Sequence, residues 1–295
     1  MRGTSTLIRK AVIPAAGWGT RFLPATKAQP KETLPLFDRP MIQYVVEEAA
    51  AAGIREIVMI TAVGKGAIED YFDRSYELER LLHARRDQKH LSELRRISDL
   101  ADIVYVRQRE QFGLGHAILM AKDLIGNEPF AVFLPDDIIE AQVPAIQQLL
   151  RVYERYRCNV LAVERVVDSV ISRYGIIDAW KTDERTFKVR GLVEKPKADE
   201  APSNLAIIGR YIVTPELFCM LEKVTPGTMG EIQLTDALHG LLSYQSIYAY
   251  EYEGRRHDGG TPLGLLKASV AVALGRAGVA NDFRKWLEGL LREAS

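Results

Sequence analysis

Residues 15–32, "AAGWGTRFLPATKAQPKE", follow a short apolar run and set Gly17, Gly19, Arg21 and Lys31 along one loop. The backbone N–H groups of a glycine loop can lie against phosphate oxygens with no side chain in the way. Arg21 offers a planar fork of donors, and Lys31 brings a compact charge from the far end of the loop. Two cations held apart by a proline-containing segment suit a polyphosphate better than a single carboxylate. A tight turn beside two solvated bases is the plainer account of the same spacing. Two phosphate motifs are excluded. A dinucleotide fingerprint needs a third glycine where Phe22 stands, and "VGKGA" at 63–67 lacks the spacing of a P-loop.

"FLPDD" closes an apolar run with Asp136 and Asp137. A carboxylate at the carboxyl end of a strand can hold a hard cation such as Mg²⁺ while phosphate and water oxygens complete the shell, or it can cap the next element. "RRHDGG" adds Asp258 as a second candidate, with His257 beside it as a packed, hydrogen-bonded residue. "QREQFGLGHA", from Gln108 to Ala117, runs from a strand end through two glycines into a helix. The Gln108 amide carries both an acceptor and donors, enough to read a base edge, and Gly113 and Gly115 let the main chain lie against a flat ring. His116 reads as structural. "VEKPK" couples Glu194 to Lys195, a surface ion pair on the plain reading, and "GEIQLTDAL" could turn Glu231 and Asp236 toward a site.

These residues need a scaffold. "KAVIPA", "EIVMIT", "DIVYVRQ" and "PFAVFLPDD" read as buried strands, separated by helices at 40–53, at "KGAIEDYF" and at "GHAILMAKDLIG". Such alternation implies crossover units and a parallel sheet covered on both faces, with ligands at the carboxyl ends of its strands. Residues 75–97 are charge-dense, with Leu78, Leu81 and Leu82 at helical spacing, and predict a helical excursion packed on the outside. From residue 159 the pattern turns strand-rich without a linker, an extension of the same domain. The segment "NDFRKWLEGLLREAS" sets Phe283, Trp286, Leu287, Leu290 and Leu291 on one helical face, for packing on its own domain or on a partner.

The chain of 295 residues is 47% hydrophobic, enough for a substantial core. Lysine plus arginine equals aspartate plus glutamate, 39 each, so no global field draws it to nucleic acid or an anionic membrane. No apolar run is long enough to span a bilayer. Cys158 and Cys219 lack disulfide or metal spacing, and the start "MRGTSTLIRK" lacks a signal-peptide core. The expectation is a soluble cytoplasmic protein.

Seven segments resemble, in order, the signature of the sugar-1-phosphate nucleotidyltransferases: "AAGWGTRFLPATKAQPKETLPLFDRPMIQYVV", "QFGLGHAI", "LPDDI", "YGIID", "VEKPKADEAPSNLAIIGRY", "GEIQLTDAL" and "HDGGTPLG". Within that superfamily the likeness is greatest to the bacterial members that transfer uridylyl groups to glucose 1-phosphate. Trp18, Phe112 and Gly259 stand where relatives carry other residues. The resemblance implies a three-layer α/β/α, Rossmann-like nucleotidyltransferase fold with a mixed, mainly parallel central sheet. It implies a single domain over 1–295, with a strand-rich sugar-binding portion at about 159–258 and C-terminal helices at about 262–292.

The activity so implied is Mg²⁺-dependent transfer of UMP from UTP to α-D-glucose 1-phosphate, giving UDP-glucose and pyrophosphate. Arg21 and Lys31 would grip the triphosphate, Asp136 the metal with Asp258 as a further ligand, and Lys195 the sugar phosphate. Ala15, Ala16, Gly17, Gly19 and Thr20 would follow the nucleotide, with Gln108 and Gly113 on the uracil. Gly175, Glu194 and Asn204 would line the glucose pocket. Asp137 would orient its loop, and Gly209 and Arg210 are assigned no contact. A half-turn of the Gln108 amide swaps donor and acceptor, so rejection of cytosine is expected from the fixed N–H of Gly113. The terminal helix and the family suggest a homodimer or homotetramer. Two rivals remain: a thymidylyltransferase or other sister enzyme, and a catalytically weak regulatory homologue. The absence of a C-terminal β-helix argues against the adenylyl type.

Overall fold

The computed structural model describes residues 8–227 and 230–293; the opening stretch read for a leader lies, through residue 7, outside the described residues. A nine-stranded sheet organises the chain. In chain order its strands are β1 (Lys10–Pro14), β2 (Glu56–Thr61), β3 (Asp102–Arg107), β4 (Phe130–Phe133) and β5 (Asn159–Arg165). They continue as β6 (Gly175–Lys181), β7 (Thr186–Glu194), β8 (Leu205–Val213) and β9 (Ile247–Glu251). Their spatial order is β3-β2-β1-β4-β8-β5-β9-β7-β6. The first four pair in parallel; β8 then enters antiparallel to both β4 and β5, and β6, β7 and β9 continue with one further parallel pairing, β5 to β9.

Both faces are covered, and the alternation of side chains along each strand shows why. Ala11 and Ile13 of β1 join one apolar cluster, under the helices Met41–Ala51 and Ala145–Tyr156. Val12 joins the other, under Gly113–Leu119, Glu216–Leu221 and Leu234–Leu241. The result is three layers.

Three local expectations differ from the structure. β3 is an edge strand, not a buried one: among the described residues no strand lies beyond it, and Val104 is 50% exposed. The helix expected at "GHAILMAKDLIG" starts earlier, at Gly113, and breaks into Gly113–Leu119 and Lys122–Ile125. The 75–97 excursion is two helices, Tyr76–Ala84 and Gln88–Ser98, separated where Arg86 takes a left-handed φ of 58°. Its leucines do not carry the packing: Leu78 and Leu81 are exposed, while Leu91, Ile97 and the carboxylate Glu79, held by Arg74 and Arg95, are buried.

The carboxyl ends of β1, β3 and β4 share one edge, and the loops after them bring residues 15–32, 108–113 and 134–137 together there. A two-stranded ribbon, Asp137–Glu140 with Arg255–Asp258, sets Asp258 opposite Asp137. Beneath this turn Arg210 is fully buried. It donates to Glu48 at 2.9 and 2.7 Å and to the carbonyls of Leu134 at 3.1 Å and Asp137 at 2.7 Å, so it bolts the Met41–Ala51 helix to the aspartate turn. Arg210, assigned no contact from the sequence, thus has a structural one. Arg210→Met would strand the Glu48 carboxylate and should cost about 3–5 kcal/mol of stability, read from the shift of the urea unfolding transition. An unmoved transition would refute this role.

Candidate active site

Two adjoining cavities open at the carboxyl edge of the sheet, of about 510 and 740 Å³. They share Gly113, Leu114, Leu134, Asp136 and Glu231 as a common wall. The first is lined by Ala16, Gly17, Gly19, Thr20, Lys31 and Gln108; the second by Arg21, Gly175, Glu194, Lys195 and Asp258.

In the first cavity Gly19 takes φ 66°, and a Cβ added there would meet Thr26 and Lys31 at 3.2–3.3 Å, so the glycine lets the loop fold back on its own lysine. Gly17 has open space around it, where a ligand can approach the backbone. Lys31 Nζ lies 2.6 Å from Asp136 Oδ2. Burial opposes both charges, but each outweighs it for the other: the Lys31 ammonium is held above its usual range and the Asp136 carboxyl below. Behind them Glu32 and Lys65 form a buried pair at 2.7 Å, which the sequence did not signal; burial pushes the Glu32 carboxyl up and leaves Glu32 Oε1 without a hydrogen-bond partner.

The flat wall of this cavity is tightly specified. Gly113 has φ 88° and packs on Glu231; Gly115 N–H donates to the Ile232 carbonyl at 2.8 Å, and Ile232 N–H to that of Phe112 at 2.7 Å. The Gln108 amide nitrogen meets the Gly113 carbonyl at 3.3 Å and His116 Nδ1 at 2.9 Å. That overturns the expectation of a freely reversible amide, because a half-turn would set Oε1 against a carbonyl oxygen.

In the second cavity Glu194 accepts from Thr235 Oγ1 at 2.6 Å and lies 3.0 Å from Lys195 Nζ. Lys195 takes φ 46°, left-handed for a residue with a side chain. Tyr174, Arg256 and Thr235 also line this wall. Thr235 lies in "GEIQLTDAL", where the sequence pointed to Glu231 and Asp236 instead. Arg256 had a sequence signal, since two residues along a strand put it on the same face as Asp258. Arg256 binds Asp137 Oδ1 and reaches Glu164 and the Tyr174 hydroxyl at 3.1 and 3.0 Å, and Gly209 N–H meets Asp137 Oδ2 at 3.1 Å. Burial still outweighs Arg256, so the Asp137 carboxyl is pushed up. Asp137 is therefore locked onto Arg256 and Gly209 at the wall of the second cavity, while Asp136 faces both cavities.

Three candidates are not brought to a wall. Ala15 is buried with its N–H donating to the Ile60 carbonyl at 2.8 Å, which extends the β1–β2 pairing. Asn204 Oδ1 accepts from Arg165 at 3.2 Å and its carbonyl from Val166 at 3.0 Å, because β8 pairs with β5 there. Asp236 lies beside Met220 and Lys223 on another surface, whereas Glu231 reaches both cavities. His257 is buried beside Glu140 at 3.3 Å, the packed role expected of it.

Among the described residues no three His, Cys, Asp or Glu side chains cluster as a metal site. Two carboxylates nevertheless converge. A Cβ added at Gly260 would sit 3.0 Å from Asp258 Oδ1, 3.1 Å from Asp136 Oδ2 and 3.6 Å from Arg21 Nη1. Gly259 N–H donates to the Asp136 carbonyl at 2.7 Å and ties the two aspartate loops together. A glycine cradle between hard oxygen donors, with phosphate to complete the shell, fits a divalent cation.

A glycine loop, a lysine and a carboxylate at a strand edge beside a sugar-sized cavity define a phosphate-transferring enzyme. The chain belongs to the nucleotidyl transferase family, whose model matches residues 10–274. More particularly, it is 51% identical to the UTP–glucose-1-phosphate uridylyltransferase of Staphylococcus epidermidis, over 96% of this chain and 98% of that one. It superposes on a UDP-glucose pyrophosphorylase complexed with UDP-glucose with TM-score 0.84 and 43% identity, covering 91% of this chain and 100% of that one. For a UTP-bound enzyme of that kind from Acinetobacter baumannii the values are 0.88 and 38%, over 95% and 98%.

The two neighbouring aspartates should behave differently. Asp136→Asn should lower turnover by about 10²–10³ with the fold intact, since it removes a charge aimed at the cavities. Asp137→Asn should instead lower the unfolding midpoint and spare more activity per folded molecule. Parallel kinetics and urea melts decide it, and the reverse pattern would exchange the roles.

Proposed function

We propose that this chain transfers UMP from UTP to α-D-glucose 1-phosphate, forming UDP-glucose and releasing pyrophosphate. The observation that carries the reading is the shared Asp136 wall, with a glycine loop and Lys31 on one side and Glu194 and Lys195 on the other. That solved relatives hold UTP or UDP-glucose supports the same substrate and product.

A phosphate oxygen of glucose 1-phosphate attacks the α-phosphorus of UTP in line, and the bond to the bridging oxygen of the β-phosphate breaks. The attacking phosphate oxygen is already anionic, so no side chain need act as nucleophile or base, and the leaving oxygen takes the bonding pair as pyrophosphate. The protein's part is positioning and charge neutralisation. Arg21, Lys31 and the Gly17–Gly19 backbone receive the triphosphate, Lys195 the sugar phosphate, and Glu194, pinned by Thr235, accepts from glucose hydroxyls. Enzymes of this family generally use a divalent metal. Mg²⁺ held by Asp136 and Asp258 would screen the repulsion between two anionic substrates.

We further infer a single nucleotidyltransferase domain, since one sheet runs through it, acting in the cytoplasm and without nucleic-acid partners. Among the described residues no helix is long and apolar enough to cross a membrane. The terminal helix Ala280–Glu293 has no buried residue and leaves Trp286 59% exposed, which favours a partner over its own domain and supports a homodimer or homotetramer.

Pyrophosphate release over a grid of nucleotides and sugar phosphates tests the activity. UTP with glucose 1-phosphate should be best. dTTP should follow, because a ring methyl is worth only about 1–3 kcal/mol; CTP should be poorer, and purine triphosphates excluded by size. A preference for dTTP would make the protein a thymidylyltransferase, and no turnover with any pair would favour a regulatory homologue. In the same assay Lys31→Ala should lose about 10²–10³ in rate, with a lowered unfolding midpoint because Asp136 is left without its counter-charge. Near-normal turnover at saturating substrate would remove Lys31 from the triphosphate site.

A further inference from the structure

The Gln108 side chain lines the first cavity yet is nearly buried, and its amide nitrogen is fully committed to the protein. The Gly113 carbonyl can only accept, so the NH₂ group must be the end that faces it, at 3.3 Å. The second amide proton then points at His116 Nδ1, 2.9 Å away, and that nitrogen must accept. His116 therefore carries its own proton on Nε2. With both amide protons used, Oε1 is the hydrogen-bonding atom of Gln108 left for a ligand. The imidazole is held in turn: Phe112 lies against it at 5.2 Å between ring centres, 63° apart, and its helix is tied to Ile232 by the Gly115 N–H.

We propose that His116 is a positioning residue for base selection: as a neutral acceptor at Nδ1 it locks the Gln108 amide so that only Oε1 faces the base. This rests on the reading that Gln108 meets the pyrimidine of UTP. Uracil presents an N3–H donor, which Oε1 accepts. Cytosine presents an N3 lone pair, which meets the lone pairs of Oε1. An amide free to turn would suit either base, and the longer Gly113 contact is the weaker of its two restraints. Selection against CTP is thus set by a side chain that need not touch the nucleotide.

The test measures kcat/KM for UTP and for CTP at saturating glucose 1-phosphate. His116→Leu and His116→Phe both delete the acceptor, so failure of one to fold leaves the other to decide. Each should narrow the UTP-to-CTP ratio by about tenfold, the loss of one good hydrogen bond, through the nucleotide KM and with kcat for UTP little changed. His116→Asn, whose Oδ1 falls near the place of Nδ1, should keep the parental ratio. Gln108→Ala should narrow it too, and adding His116→Leu to Gln108→Ala should narrow it no further. If the Leu and Phe variants keep the ratio while Gln108→Ala loses it, the proposal is overturned and the placing of Gln108 on the base survives. If Gln108→Ala keeps the ratio, Gln108 does not read the base and both fall. Equal narrowing in the Asn and Leu variants would make His116 a matter of packing, and would also overturn it.

Discussion

Two carboxylates that follow one another at the end of β4 are the constraint from which the rest of the site is built. Adjacent negative charges at the mouth of a hydrophobic sheet are costly unless each finds its own answer. Asp137 turns inward onto Arg256 and the Gly209 N–H, and Asp136 turns outward onto Lys31. Each answer raises a further demand. Arg256 needs Glu164 and Tyr174, Glu164 takes the Tyr252 hydroxyl at 2.6 Å, and Arg210 below the turn needs Glu48. A chain of zero formal net charge thus concentrates paired charge around one turn.

Lys195 shows the other way in which chemistry is favoured over local comfort. A left-handed lysine is strained by about 1–3 kcal/mol, and here the strain follows directly on Glu194. The carboxylate is aimed by Thr235 and the ammonium by the backbone. Acid and base thereby reach the same cavity from consecutive positions, which a regular strand would send to opposite faces.

Strand ends were legible in the sequence because their chemistry is local. "AAGWGTR", "FLPDD", "VEKPK" and "HDGG" each carry their functional group within a few residues of an apolar run, and Arg21, Lys31, Asp136, Glu194, Lys195 and Asp258 all line the two cavities. Hidden from the sequence were groups that arrive from afar: Thr235 on a helix that packs beneath Glu194, and Lys65 against Glu32. Asn204 lines neither cavity, and its motif is a strand start, where an amide serves the neighbouring strand as readily as a ligand. The leucines of the 75–97 excursion misled; helical spacing says which side chains share a face, not which face is covered. The right-hand half of the sheet read correctly as strands, but its antiparallel entry at β8 depends on pairings that no local pattern encodes.

The reciprocal bonds between Phe112, Gly115 and Ile232 have a consequence for how this enzyme can change. Ile232 anchors the flat wall beside Gln108, and three residues later Thr235 fixes Glu194 in the second cavity. If the first cavity takes the base and the second the sugar, as proposed, their recognition is spliced through one short stretch of backbone. A shift that widens the first cavity would then drag on Glu194, and a reshaped second cavity would pull on the wall beside Gln108. Substitutions on the two sides should therefore combine non-additively. Donor and acceptor preference would then drift as a correlated pair, and a lineage seeking a new nucleotide would have to retune its sugar along the way.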